Sequence, residues 1–263
     1  MQFSSLLASL NDEAEQRIVL PTGWGQGRAF FGGFSAAIAY QHAANAVSKA
    51  QPIRALTVSF VAPMAAGEAI LKRRVLRQGK NVTQISVDIE QDGNVGLSAL
   101  LTFGQARPSQ VKVTELPRSH VPNRDQGDLM PDSELIPEFA QHYEYCLNVG
   151  AMPFSGKPER EFGGWMRFRD EHTPISVGLL LGLVDAWPPA VLPHLESPAP
   201  ASSLTWTIEF PKALGTQLQG SDWWQYVAHI DYAADGYGHS HAHIWDKQGE
   251  LVAISRQTMT VFG

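Results

Sequence analysis

Four apolar-rich runs in the first half of the chain, Ala55 to Ala62, Glu68 to Arg77, Asn81 to Gln91 and Val95 to Phe103, predict four strands. Turn signals at Ala66-Gly67, Gln78-Gly79-Lys80 and Asp92-Gly93-Asn94 divide them, and connections this short give antiparallel hairpins. Ahead of the strands, FSAAIAYQHAANAVSKA from Phe34 to Ala50 has apolar spacing close to 3.6, which predicts a helix buried over much of its surface. The second half repeats the order. Thr173 as N-cap and Pro174 at the first helical position open another helix, which ISVGLLLGLVDAW carries to a stop at Pro188-Pro189. Strands then follow at Ser202 to Phe210, Trp223 to Ala234, His239 to Asp246 and Glu250 to Phe262, with two more ahead of the helix at Glu138 to Asn148 and Gly164 to Arg169. Between the halves, Pro108, Pro117, Pro122, Pro131 and Pro137 are spread among polar residues without a sustained period, so 105–137 reads as a crossing linker.

Local similarity supports a duplication. LTVSFVAP from Leu56 aligns without a gap with LTWTIEFP from Leu204, and the runs ending at Gly104 and Gly263 both finish in Phe-Gly. One unit is expected at 1–104 and another at 138–263. In these alignments Ala55 matches Ser203, and Ser98 matches Gln257. A helix that is apolar nearly all round must be covered nearly all round, and a curved antiparallel sheet does so. The expected class is α+β.

Composition narrows the partners. At 263 residues and 44% apolar content the chain can bury a substantial core. A net charge of −6, with no Lys/Arg run, argues against nucleic acid. The first residues turn acidic before any apolar stretch, and no run of eighteen apolar residues follows. Neither export nor membrane spanning is expected, and a cytoplasmic location is the default. The single cysteine, Cys146, can form neither an intrachain disulfide nor a Cys-rich metal site.

Several residues could carry chemistry. Asp185 ends an apolar helix, where the macrodipole and the neighbours Leu183, Val184 and Trp187 should raise its pKa, as suits a general base. Equally, it could cap a turn or pair with Arg169. Gln257 shares a strand face with Leu251, Ala253, Ser255, Met259 and Val261, so its amide needs a carboxylate, a water or neighbouring backbone as partner. Ser203 falls on the face of Thr205, Thr207 and Glu209, which suits a hydrated pocket or an exposed sheet surface. Gly32 and Gly33 open the first helix, where a backbone N–H could receive a developing oxyanion, or where small residues serve helix packing. His239, His241 and His243 alternate along one strand, a spacing open to a metal such as zinc or to a wet surface. The run GWGQGRAFFGG lacks the strand before and the Lys after that a phosphate loop needs.

FGGFSAAIAYQHAA, LRQGKNVTQISVDIEQDG, LLLGLVDAWPP and GELVAISRQ, in that order, resemble the double-hotdog acyl-CoA thioesterases of the thioesterase II type. The resemblance implies two tandem hotdog units, an acyl-CoA substrate hydrolysed to a free acid and CoA, no metal or cofactor, and a homodimer of double hotdogs. It places the catalytic set at Asp185, Ser203 (with Ser202 as near alternative) and Gln257; the helix-entry glycines Gly32 and Gly33, and Trp206, are the expected substrate contacts. Trp187, Trp206, Trp223 and Trp224 would fill the core or line an acyl tunnel. Where family members often carry Asp and sometimes His after the hydroxyl, this chain has Thr205 and Trp206. Two other classes stay open: a non-catalytic acyl-CoA-binding or scaffold protein, and a hydratase or dehydratase built on His42.

Overall fold

The structure is a computed structural model that describes residues 2–131 and 136–262, so residues 132–135 of the predicted linker lie outside the described residues. The elements of the first half are α1 (Phe3–Ala8), β1 (Glu15–Leu20), a small ribbon of β2 (Gly25–Gln26) and β3 (Ala29–Phe30), α2 (Gly32–Ala44), β4 (Ile53–Phe60), β5 (Gly67–Gln78), β6 (Val82–Gln91) and β7 (Asn94–Gly104). The second half has β8 (Asp128–Leu129), β9 (Tyr143–Val149), β10 (Glu161–Phe168), α3 (Val177–Val184), β11 (Ala201–Glu209), β12 (Trp224–Ala234), β13 (Tyr237–Trp245) and β14 (Leu251–Val261). All strands except the ribbon join one sheet, ordered β1-β5-β6-β7-β4-β11-β14-β13-β12-β10-β9-β8.

The same connectivity occurs on both sides of the sheet's middle. β4 lies beside β7, β7 beside β6 and β6 beside β5, just as β11 lies beside β14, β14 beside β13 and β13 beside β12. The halves meet where β4 pairs antiparallel with β11; Thr57 stands opposite Thr207 there, with hydroxyls 3.4 Å apart. The two main helices pack against each other, and their apolar residues share one core with the inward strand faces. Ala36, Ala37 and Ala39 of α2 are fully buried; their small side chains let neighbouring backbone come close.

Several elements depart from the sequence expectation. Helix α2 ends at Ala44 rather than Ala50; beyond it the bonds tighten to i→i−3, from Ala46 N–H to Ala43 O and Val47 N–H to Ala44 O, and the Asn45 side-chain amide donates to the carbonyls of Leu10 and Asn11. Thr173 is not the N-cap of the second helix. Pro174 is held in a bridge to Gln219, so the chain stays extended until Ser176, whose hydroxyl accepts from Leu179 N–H at 3.1 Å. That helix stops at Val184 rather than Trp187. The predicted strand from Glu138 begins instead as a 3-10 turn, Glu138–His142, and extends only from Tyr143. Within the predicted linker, Asp128–Leu129 pairs with β9, and Pro117 and Pro122 carbonyls accept the indole N–H groups of Trp245 and Trp165. The segment is therefore tied down along the second half. No helix among the described residues is long and apolar enough to cross a membrane.

Candidate active site

Asp185 sits as the C-cap of α3, partly buried, and its carboxylate reaches across to the other half of the chain. Oδ2 accepts from Gly33 N–H at 2.7 Å, and Oδ1 accepts from Gln257 Nε2 at 2.6 Å. The carboxylate thus faces two helix ends at once. At its own helix the macrodipole opposes the charge, as expected, but the positive N-terminus of α2 favours it. Burial outweighs the donors and pushes the carboxyl up to about 6, while the hydrogen bonds from Gln257, Gly33 and Gly32 hold it lower than burial alone would. Arg169 does not pair with it; its Nε donates to Tyr143 O and its guanidinium lies 3.7 Å from Glu144.

Gly32 and Gly33 permit this approach. A Cβ on Gly32 would lie 2.7 Å from the Phe60 ring and 2.8 Å from Asp185 Oδ2, and one on Gly33 would lie 2.8 Å from Leu181 O. Glycine is required here by space rather than by a left-handed backbone. The N–H of Gly33, which the sequence offered to a substrate oxyanion, is taken by Asp185.

A β-bulge settles the direction of Ser203. β11 pairs Ser203 with Met259 but Thr205 with Thr258, so one residue, Leu204, is extra. Directly opposed residues share a face. Ser203, Trp206 and Ile208 therefore face the same way as Met259, Gln257 and Ser255. This corrects the simple alternation that put Ser203 with Thr205 and Thr207. It also corrects the match between halves. β4 bulges at Arg54 as β11 bulges at Leu204, and counting from the bulges sets Ile53 against Ser203 and Leu101 against Gln257, in place of Ala55 and Ser98.

A cavity of about 530 Å³ opens between the β2–β3 ribbon, the loop after β4 and the start of β11. Gly32, Ser202 and Ser203 line it, together with Ser35, Phe60 and Met64, which the sequence did not single out. Gly32, on its wall, adjoins the Asp185 carboxylate, which is not itself among the lining residues. The size falls within the range usual for small-molecule sites. Trp206 does not reach it. The indole is fully buried and donates to Ser255 Oγ at 2.8 Å, so it flanks Gln257 as part of the core.

The other candidates lie apart from this cluster. His241 Nδ1 is 2.9 Å from Asp231 and His239 Nδ1 is 3.2 Å from the Thr258 hydroxyl, and no group of three metal-ligating side chains converges among the described residues. Cys146 is buried, and burial pushes its thiol up. Trp187 stacks on Tyr226, and Trp223 lies beneath the guanidinium groups of Arg124 and Arg167.

No curated protein matches the chain in sequence. Among solved structures, a hotdog-fold protein of unknown function from Alicyclobacillus acidocaldarius is similar at a TM-score of 0.86 and 21% identity, over 99% of this chain and 98% of that one. An acyl-CoA thioesterase II from Mycobacterium marinum gives a TM-score of 0.72 at 18% identity, over 100% and 97%. A tesB protein from Mycobacterium avium subspecies paratuberculosis gives 0.77 at 16%, over 100% of both chains. These likenesses establish a hotdog fold. Residues 20–104 match the family described as the acyl-CoA thioesterase N-terminal domain and residues 114–261 the one described as the acyl-CoA thioesterase C-terminal domain, so the chain belongs to the acyl-CoA thioesterase family.

Proposed function

We propose that this protein hydrolyses acyl-CoA thioesters to a free acid and CoA, using a water that Asp185 deprotonates. The observation that carries the reading is the Asp185 carboxylate itself: raised to about 6, fixed by Gly33 and Gln257, and set directly behind Gly32 on the wall of a ligand-sized cavity. A base with that pKa is mostly ionised at neutral pH and still basic enough to take a proton. Gln257 donates to Asp185 through Nε2, which leaves its carbonyl oxygen to accept from the water. The Ser203 hydroxyl on the cavity wall supplies the second contact to that water. The water oxygen bonds to the thioester carbon as its proton passes to Asp185; the C–S bond then breaks, and the thiolate takes the proton back.

The fold reading that accompanies this is a double hotdog in tandem, 1–104 and 138–263 joined by 105–137, with one site per chain. Where the second unit carries Ser203 and Gln257, the first carries Ile53 and Leu101, which cannot hold a water. A hydratase centred on His42 lacks support: that ring is fully buried, its recorded hydrogen-bond partner is Ala14 O at 3.4 Å, and burial and Arg73 lower its pKa.

A panel of acyl-CoAs of graded chain length, with the freed thiol measured, tests the reading. Turnover is expected for some chain lengths. Binding of acyl-CoA without thiol release from any of them would leave the non-catalytic acyl-binding reading in its place.

A further inference from the structure

The first turn of α2 sets Gly32 and Ser35 on one side of the helix, three residues apart, and both line the cavity. Ser35 is only 3% exposed, yet its hydroxyl has no hydrogen-bond partner among the described residues. It is also not among the sealed side-chain atoms without partners, which are His42 Nδ1, Tyr143 Oη, Asn148 Oδ1 and Trp187 Nε1. The little surface it keeps therefore faces the cavity. A hydroxyl that no protein group satisfies and that opens onto a cavity is placed to meet a polar atom of whatever fills it. The backbone donor expected for a substrate oxygen is meanwhile unavailable, because Gly33 N–H is engaged by Asp185.

We propose that Ser35 is a catalytic residue that donates its hydroxyl hydrogen to the carbonyl oxygen of the thioester. The inference rests on the hydrolase reading above. As water adds to the carbonyl carbon and Asp185 takes the water proton, the C=O π pair moves onto oxygen. Ser35 Oγ–H holds that oxyanion near the positive end of α2 without giving up its proton. When the C=O bond re-forms, the C–S bond breaks and the protonated Asp185 returns its proton to the leaving sulfur. Ser35 keeps its hydrogen throughout. The division of labour is then by element: α2 holds the oxygen, α3 brings the base, and β11 and β14 hold the water.

Steady-state thiol release by the native protein and by Ser35→Ala, with a thermal scan of each, tests this. Loss of a single oxyanion donor typically lowers kcat about 10²–10³-fold. The expected result is a loss in that range with KM within about threefold of native and an unchanged melting temperature. Ser35→Thr, which retains a hydroxyl, is expected to recover at least part of the loss. A Ser35→Ala kcat within threefold of native, or a loss confined to KM, overturns the assignment while leaving the hydrolase reading intact. No thiol from the native protein overturns both.

Discussion

At the residue scale, two groups on separate elements fix the chemistry of Asp185. Gln257 donates to the charged carboxylate, so it lowers the pKa that burial raises. Gln257→Ala removes that donor and leaves room for water beside the carboxyl. Its kcat should fall about 10²-fold or more, and the acid limb of the remaining activity should move to higher pH, since the charged form has lost a partner. A limb displaced to lower pH in a pH–rate series would contradict this. Asp185 and Gln257 drew notice because an acid ending an apolar helix and an amide on an apolar strand face both break a pattern, but it was the family resemblance that selected them over structural roles. The stabilising field on Asp185 was not legible, because it comes from the start of α2, more than a hundred residues earlier. Ser35 was not singled out either, although its spacing of three from Gly32 was a signal that could have found it.

At the element scale, helix starts and strand bulges determine which side chains meet. Ser176 caps α3 with a hydrogen bond to Leu179 N–H, so Ser176→Ala should cost about 1 kcal/mol of stability. The capped helix ends in Asp185, yet kcat per folded molecule should hold. Thr173→Ala should cost less, since its hydroxyl makes only a 3.4 Å contact to Glu171. Urea unfolding of both variants measures the difference; the reverse ranking would restore Thr173 as the cap. Gly33→Ala forces a Cβ to within 2.8 Å of Leu181 O and should lower both stability and activity, as differential scanning calorimetry and thiol release would show. Sequence alone placed nearly all the main strands within a few residues. It misplaced the cap because Thr-Pro is a strong helix-start signal, and the bridge from Pro174 to Gln219 that keeps the chain extended is a tertiary contact. It turned Ser203 the wrong way because the bulge at Leu204 appears only in the pairing with β14.

At the scale of the whole molecule, the repeated strand connectivity makes two similar frames, and only the second carries polar side chains at the positions of Ser203 and Gln257. The short matches around Leu56 and Leu204 led to the expectation of a repeat, and the strand connectivity is repeated. The register between the copies was not visible, because each strand carries a bulge that a gapless comparison ignores. Read from the bulges, Ile53 and Leu101 occupy the places of Ser203 and Gln257. A non-hydrolysable acyl-CoA thioether should therefore bind with a stoichiometry of one per chain by titration calorimetry, and two equivalent sites would contradict the asymmetry.

The central claim is that ionised Asp185 activates the hydrolytic water. The most direct test is the pH dependence of kcat/KM for acyl-CoA hydrolysis by the native protein, with Asp185→Asn measured alongside. Because the base must be unprotonated, the native rate should rise with pH through about 6 and level off above it. Asp185→Asn should lose about 10²–10⁴-fold in kcat and lack that limb. A native profile without a limb near 6, or an Asp185→Asn variant that retains both the rate and the limb, would contradict the account.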